Sequence, residues 1–329
     1  MSLIRHRLIT AFQAQFHRRH GHLRDPHVRA LAWLLTAPNL LDACAERWHG
    51  AIAVLDAMHS DAWLRALDEN PVALQAIINE RPTARLGRYA EQLLGFYLQQ
   101  NGLLFATNIQ IHAGANATIG EFDYLLHDFA GRALIHWEFA TKFYLLESQR
   151  TVPQADCFVG PNLADTLGAK MDKIMHRQLR LSHHPAAQAY LPLPVSQAQA
   201  LVKGWLFYRD PAVALPSAMG VAADHCRGFW CTGEELVADV MYDQQRYAIL
   251  PRLQWLAPTR LPIVATLSPD QLQTALSASF AIDPAPVLIA VMDRHEGGTG
   301  DEIALEISRG FIVPDDWRAL AAERVLGVQ

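Results

Sequence analysis

The stretch that decides the fold is IGEFDYLLHD (residues 119–128), followed after a short turn by RALIHWEFATKFYLL (residues 132–146). Side chains alternate along a strand. In the first segment Glu121 and Asp123 therefore share a face with Ile119 and Leu125, and Phe122, Tyr124 and Leu126 face the other way. In the second, His136, Glu138, Ala140, Lys142 and Tyr144 share one face and Ile135, Trp137, Phe139, Thr141 and Phe143 the other. Bulky residues on both faces predict a central strand covered on both sides, and Asp128 with Gly131 predicts a hairpin turn between the two segments. A glutamate and a lysine inside such a strand are costly to bury unpaired.

Working outward, LGRYAEQLLGFYLQQNG (86–102) has the spacing of an amphipathic helix, with Leu86, Ala90, Leu93, Leu94 and Tyr97 on one side and Asn101-Gly102 as its stop. LLFATNIQIH (103–112) reads as a strand preceding the hairpin. Beyond a loop with Gly160-Pro161, LADTLGAKMDKIMHRQLRL (163–181) reads as a helix and LVKGWLFYR (201–209) as a buried strand. The order is helix, three strands, helix, strand, which predicts a mixed α/β unit over residues 81–210.

Residues 1–80 predict a helical N-terminal subdomain, with one pattern broken at Pro38. In residues 211–329, RGFWCTG, PVLIAVMD and EIALEISRGFIV predict strands, HEGGTGDE a turn closing a hairpin between the last two, and PDDWRALAAERVL a capped terminal helix. This third is expected to be an α/β extension of the central sheet.

The chain has 329 residues, half of them hydrophobic, and a net charge of -5. That charge excludes a protein that coats nucleic acid through overall positive charge and makes any polyanion site regional. No apolar run reaches the roughly 20 residues a membrane span needs, and the opening MSLIRHRLITAFQAQFHRRH lacks a signal-peptide pattern. The expectation is a soluble, cytoplasmic protein with no membrane partner. Cys44, Cys157, Cys226 and Cys231 are too few and too scattered for a disulfide framework and are expected to be reduced thiols. Arg5, Arg7, Arg18, Arg19, Arg24 and Arg29 suggest a solvated helix face more than a phosphate-contacting arm.

Two readings fit the acids of the hairpin. In one, Lys142 and Glu138 or Asp123 form a buried ion pair that satisfies itself. In the other, carboxylates from adjacent strands converge on a cation; magnesium or manganese suits carboxylate oxygens, waters and a substrate phosphate.

The order of elements, with GRYAEQLLGFYL, GEFDYLL and HWEFATKFYLL, resembles the core of the PD-(D/E)XK nucleases, and more closely a bacterial domain-of-unknown-function family assigned to that superfamily. The resemblance implies a restriction-endonuclease-like core, a mixed sheet flanked by helices. It also implies a metal-dependent nuclease with nucleic acid as partner, Glu91, Asp123 and Glu138 as metal residues and Lys142 completing the catalytic set.

One departure bears on activity. The third-strand acid and lysine of that superfamily are separated by one residue, whereas Ala140 stands there and Lys142 comes two positions later. At ~3.3 Å per strand residue, Glu138 and Lys142 start about 13 Å apart. This leaves open a working site with a displaced lysine and a catalytically inactive nuclease-like binding or scaffolding protein. Lys170, Lys173 and Arg177 share a helix face, suited to contact a phosphate backbone or to replace a missing lysine, with Gln178 close by, although Asp165 and Asp172 also offer intrahelical partners.

Other signals are weaker. His136-Trp137-Glu138 lacks the Pro-Cys-x-x-Cys of a zinc deaminase, and Cys226 and Cys231 lack a second ligand pair. Trp205, Trp230, Trp255 and Trp317 are expected in the core.

Overall fold

The structure, a computed structural model, describes residues 11–56, 60–112, 118–148, 152–240, 245–296 and 302–326. Among these the chain opens with α1 (Ala11–His20), α2 (Pro26–Thr36), α3 (Ser60–Glu69) and α4 (Val72–Glu80). Asp25 starts α2 by accepting the N–H groups of His27 and Val28, Pro26 fits the first turn, and the helix ends just before Pro38. Arg5 and Arg7 lie outside the described residues. Arg29 is neither a solvated face nor a phosphate arm: it is buried and donates to the carbonyls of His20, Leu23 and Pro258.

The central unit follows as α5 (Leu86–Gln100), β1 (Leu104–His112), β2 (Thr118–His127), β3 (Leu134–Leu146), the short β4 (Phe158–Val159), α6 (Leu167–Lys173) and β5 (Val195–Tyr208). Helix α6 runs directly into one π-helical turn, Ile174–Gln178. The β2–β3 turn forms as the sequence suggests: Gly131 adopts a φ of 65° and the Asp128 carboxylate accepts the Arg132 N–H at 2.8 Å. Strand β3 pairs antiparallel with β2 and parallel with β5.

The remaining elements are β6 (Cys226–Thr232), α7 (Gly233–Val240), β7 (Arg246–Ile249), β8 (Arg260–Pro262), α8 (Pro269–Ile282), β9 (Val287–Glu296), β10 (Glu302–Val313) and α9 (Trp317–Leu326). Their strands continue the same sheet, in the order β1-β2-β3-β5-β6-β10-β9-β7, with β4 beside β3 and β8 beside β10. Strands β3, β5, β6 and β10 form a parallel centre and the outer pairings are antiparallel. Strands β9 and β10 pair as a hairpin; the turn expected between them, 297–301, lies outside the described residues. The chain is thus mixed α/β, a large central mixed sheet flanked by helices.

Both faces of β3 are covered, as its bulky alternation requires. Trp137, Phe139 and Phe143 pack in one cluster with Trp33 of α2, Leu93 of α5 and Trp205 of β5. Ala140 and Tyr144 pack in another with Leu167, Met171 and Ile174 of the α6 segment. The four tryptophans assigned to the core from sequence are buried, and the four cysteines are free thiols.

Alternation fails in β2, and the failure is instructive. Tyr124 and Leu126 pack with α5, whereas Phe122 joins Leu125 and Leu134 on the other side, edge-on to His136 at 4.6 Å. Opposite this point Asn108 of β1 adopts a φ of 55°, so the neighbouring strand kinks at the same level. Glu121 and Asp123 therefore do not share a face: Glu121 turns toward α5, and Asp123 sits at the crossing between the two layers.

Candidate metal site at the β2–β3 split

The β2–β3 ladder runs from His127↔Leu134 to Tyr124↔Trp137 and stops. The next backbone donor of β3, the Phe139 N–H, is taken by Asp123 through Oδ2 at 2.9 Å. A side chain thus closes the sheet where the two strands part, and this holds the Asp123 carboxyl in the plane of the sheet beside Glu138. The two carboxyl groups are within hydrogen-bonding reach of each other. Burial, then repulsion from Glu138, pushes Asp123 up to about 7, although the Phe139 N–H opposes this. Glu138 is likewise pushed up to about 7, chiefly by burial, with Lys170 opposing.

Glu138 is 2% exposed and is gripped at both oxygens. His136, two residues earlier on the same face, lies at 2.9 Å from Oε1 through its Nε2. Burial holds His136 down to about 4, so its ring is neutral and Nε2–H donates. Gln178 donates Nε2–H to the other oxygen, Oε2, and its own amide oxygen accepts from Lys170 Nζ at 3.4 Å. The chain Lys170, Gln178, Glu138, His136 crosses from the α6 segment to β3. Lys170 is lowered first by burial and then by Lys142 and Lys173, while Glu138 and Asp123 raise it.

Glu91 approaches from the opposite layer. Its helix is pinned to β2 by the Tyr124 hydroxyl, which donates to the Glu91 backbone carbonyl at 2.6 Å. The Glu91 carboxyl is pushed up to about 7 by burial and then by Asp123, and is held by Arg88 at 2.9 Å. Arg88 also reaches Glu121 at 3.3 Å and Asn108 at 2.9 Å. A cleft of about 550 Å³ opens beside these groups, lined by Arg81, Arg88, Glu91, Asn108 and Glu121. A larger cleft, about 900 Å³, lies on the other flank of α6 near Trp48, Asp156 and Asp172 and contains none of the three acids.

Of the residues singled out from sequence, the structure brings together Asp123, Glu138 and, on the far side of Asp123, Glu91. Lys142 points elsewhere: its Nζ lies 3.8 Å from Asp165 Oδ2, and the same carboxylate oxygen accepts from the Tyr144 hydroxyl at 3.0 Å. Lys170 reaches Gln178, whereas Lys173 and Arg177 are exposed. Sequence reading passed over His136 and Arg88 as members of this group. The signal for both was spacing: His136 lies two residues from Glu138 on a strand, and Arg88 three from Glu91 on a helix.

Among the described residues no three histidine, cysteine or carboxylate side chains are gathered closely enough to hold one ion. What is present is a two-carboxylate seat. That donor set fits a hard divalent cation such as magnesium, which commonly takes one or two carboxylates and keeps several waters. Oxygen-only donors and the closeness of two buried carboxyls agree with such an ion.

No curated protein and no solved structure matches the chain. A family model, Domain of unknown function (DUF1853), matches residues 29–313, a span that runs from within α2 through α5 and the split hairpin to the end of β10. The chain is a member of that domain-of-unknown-function family.

Proposed function

We propose that this protein is a magnesium- or manganese-dependent phosphodiesterase acting on DNA or RNA, with Asp123 and Glu138 as the metal-holding acids. The observation that carries the reading is the abutting pair itself. Two buried carboxyls, each pushed up to about 7 chiefly by burial, with Glu138 adding its repulsion on Asp123, are an expensive arrangement in a sheet, and a divalent cation offsets both charges at once. When bound, such an ion supplies charge against the phosphate oxygens and acidifies a bound water.

The chain's own residues have defined parts. His136 and Gln178 fix the orientation of Glu138, as outer partners of a ligand do. Lys170, rather than Lys142, is the cation joined to Glu138 through Gln178. Its lowered pKa suits it to take a proton from, or orient, the attacking water. Glu91, freed from Arg88, would approach the water side of Asp123, and Arg88 would then be available to a phosphate in the adjoining cleft.

A cleavage assay on single- and double-stranded DNA and RNA with magnesium or manganese tests this, comparing the wild type with Asp123→Asn and Glu138→Gln. Loss of cleavage in both variants, with loss of the calorimetric signal for metal, is the expected result. Cleavage that survives Asp123→Asn unchanged would falsify the assignment.

A second reading, a nuclease-like core that binds without cutting, is favoured by one observation: Arg88 already occupies Glu91 and Asp165 already faces Lys142. Metal and nucleic acid binding without turnover would select it.

A further inference from the structure

Four residues along β3 from Glu138, a separate pocket of about 300 Å³ opens where the start of α5, the far half of β3 and the loop after β4 meet. Cations from three different elements line it: Arg85, Lys142 and Arg252. Asp165 is the single acid in its lining. Arg85 and Arg252 are exposed and have no carboxylate partner among the described residues. Arg252 lies over the Trp255 ring at 5.2 Å, so its guanidinium has an aromatic support. Lys142, half-buried, stands 3.8 Å from Asp165, too far for a hydrogen bond, and the Asp165 oxygen on that side already accepts from Tyr144.

Three further features add to this cationic surround. Thr141 presents a buried hydroxyl with no hydrogen-bond partner among the described residues. The pocket includes the first residues of α5, a 15-residue helix with no side-chain cap and no acid in its first turn. Lys173 is near enough to Lys142 to affect its protonation.

From three cations against one carboxylate around a cavity of this size, we infer that the Arg85–Lys142–Arg252 pocket binds a phosphoryl group. Arginine forks and a lysine point charge match the spread oxygens of a phosphate, and a surplus of two positive charges matches a dianion. The phosphate can be the end of a nucleic acid strand or a free phosphoryl compound; the chemistry of capture is the same. Lys142, displaced from the acids of the β2–β3 split, acquires a role here that does not depend on the metal seat.

The test is calorimetric titration of the full chain, metal-free, with inorganic phosphate, a 5′-phosphorylated oligonucleotide and its unphosphorylated twin at one fixed ionic strength. Saturable binding of phosphate or of the phosphorylated strand is expected. It should weaken by about tenfold or more in Lys142→Met and in Arg252→Ala, and by several-fold in Arg85→Ala. Asp165→Asn should tighten it by about threefold or more, because it removes the competing carboxylate. A phosphorylated strand that binds about tenfold tighter than both free phosphate and its twin identifies a strand end. Equal affinity for free phosphate and the phosphorylated strand identifies a free phosphoryl ligand. No saturable binding of either, equal affinity for the two strands, or affinity untouched by the surface variants Arg85→Ala and Arg252→Ala overturns the inference. Asp123→Asn should leave phosphate binding as in the wild type, so failure of the metal seat and failure of this pocket are read separately.

Discussion

The Asp123 carboxylate accepts the Phe139 backbone N–H at 2.9 Å, just beyond the last paired rung between their strands, Tyr124↔Trp137. This single contact lets two neighbouring strands part without leaving a buried donor unpaired. It also fixes the acid where both faces of the sheet can reach it.

Asparagine at 123 keeps an oxygen for that N–H, and alanine does not. Asp123→Ala should therefore be less stable than Asp123→Asn by about 1–3 kcal/mol, the range for a buried donor left unpaired. Urea unfolding of the two variants checks this, and equal midpoints would show that water or a strand shift satisfies Phe139 instead.

The raised carboxyls give the metal-free fold a defined pH response. Between the ordinary carboxylate range and about 7, folded Asp123 holds a proton that the unfolded chain has released, so its contribution weakens the fold as pH rises. Glu91 and Glu138 act in the same direction. His17, His20, His136 and His225, each held down to about 4 by burial, act in the opposite one, because below 6.5 the unfolded chain takes up the protons. The difference between wild type and Asp123→Asn isolates the acid. The variant should gain on the wild type as pH climbs from about 4 to about 7, reaching roughly 1–3 kcal/mol in its favour. Unfolding midpoints over that range in chelator-containing buffer measure it, and a gap that shrinks with pH contradicts the assignment. Magnesium at pH 8 should stabilise the wild type and leave the variant unmoved.

Gln178 connects Lys170 to Glu138, so the two residues separate orientation from charge. Gln178→Leu should weaken magnesium binding about tenfold, as loss of an outer partner does. Lys170→Met should lower the cleavage rate by about a hundredfold or more while changing metal affinity far less. Calorimetry and single-turnover rates on the same preparations decide between these effects.

Far from the acids, Glu306 and Arg309 form a fully buried pair on β10. Arg309 also donates to the carbonyls of Trp255, Leu256 and Ala257, and Glu306 accepts from the Thr259 N–H. Removing one partner strands the other charge, so Glu306→Gln and Arg309→Met should each cost about 3–5 kcal/mol. Thermal and urea unfolding report the cost; a variant within about 1 kcal/mol of wild type would mean that water enters the network.

The sequence carried the order of elements in the central unit because each piece has a clean period and a clear stop, as at Asn101-Gly102 and Asp128/Gly131. The placement of Glu138 was readable for the same reason, since β3 alternates without interruption. Phe122 was misplaced because its turn to the other layer comes from a kink shared with Asn108, and a two-residue period cannot register an irregularity in the partner strand. The direction of Lys142 was hidden for a different reason: a long stem can reach along either side, and its opponent Asp165 lies in a loop outside the strand pattern. Arg29 read as a surface charge because one of the carbonyls that bury it, that of Pro258, comes from a segment 229 residues away.

The π-helical turn at Ile174–Gln178 accommodates one more residue per turn than the α-helix before it. Were the same residues to close an ordinary α-helical turn instead, everything beyond it would swing by about 100° around the axis. Gln178 would then face away from Glu138, although its chemistry and its helix would be intact. The hydrogen-bonding pattern of this short turn, as much as the identity of any residue in it, thus sets whether helix and sheet meet at the acids.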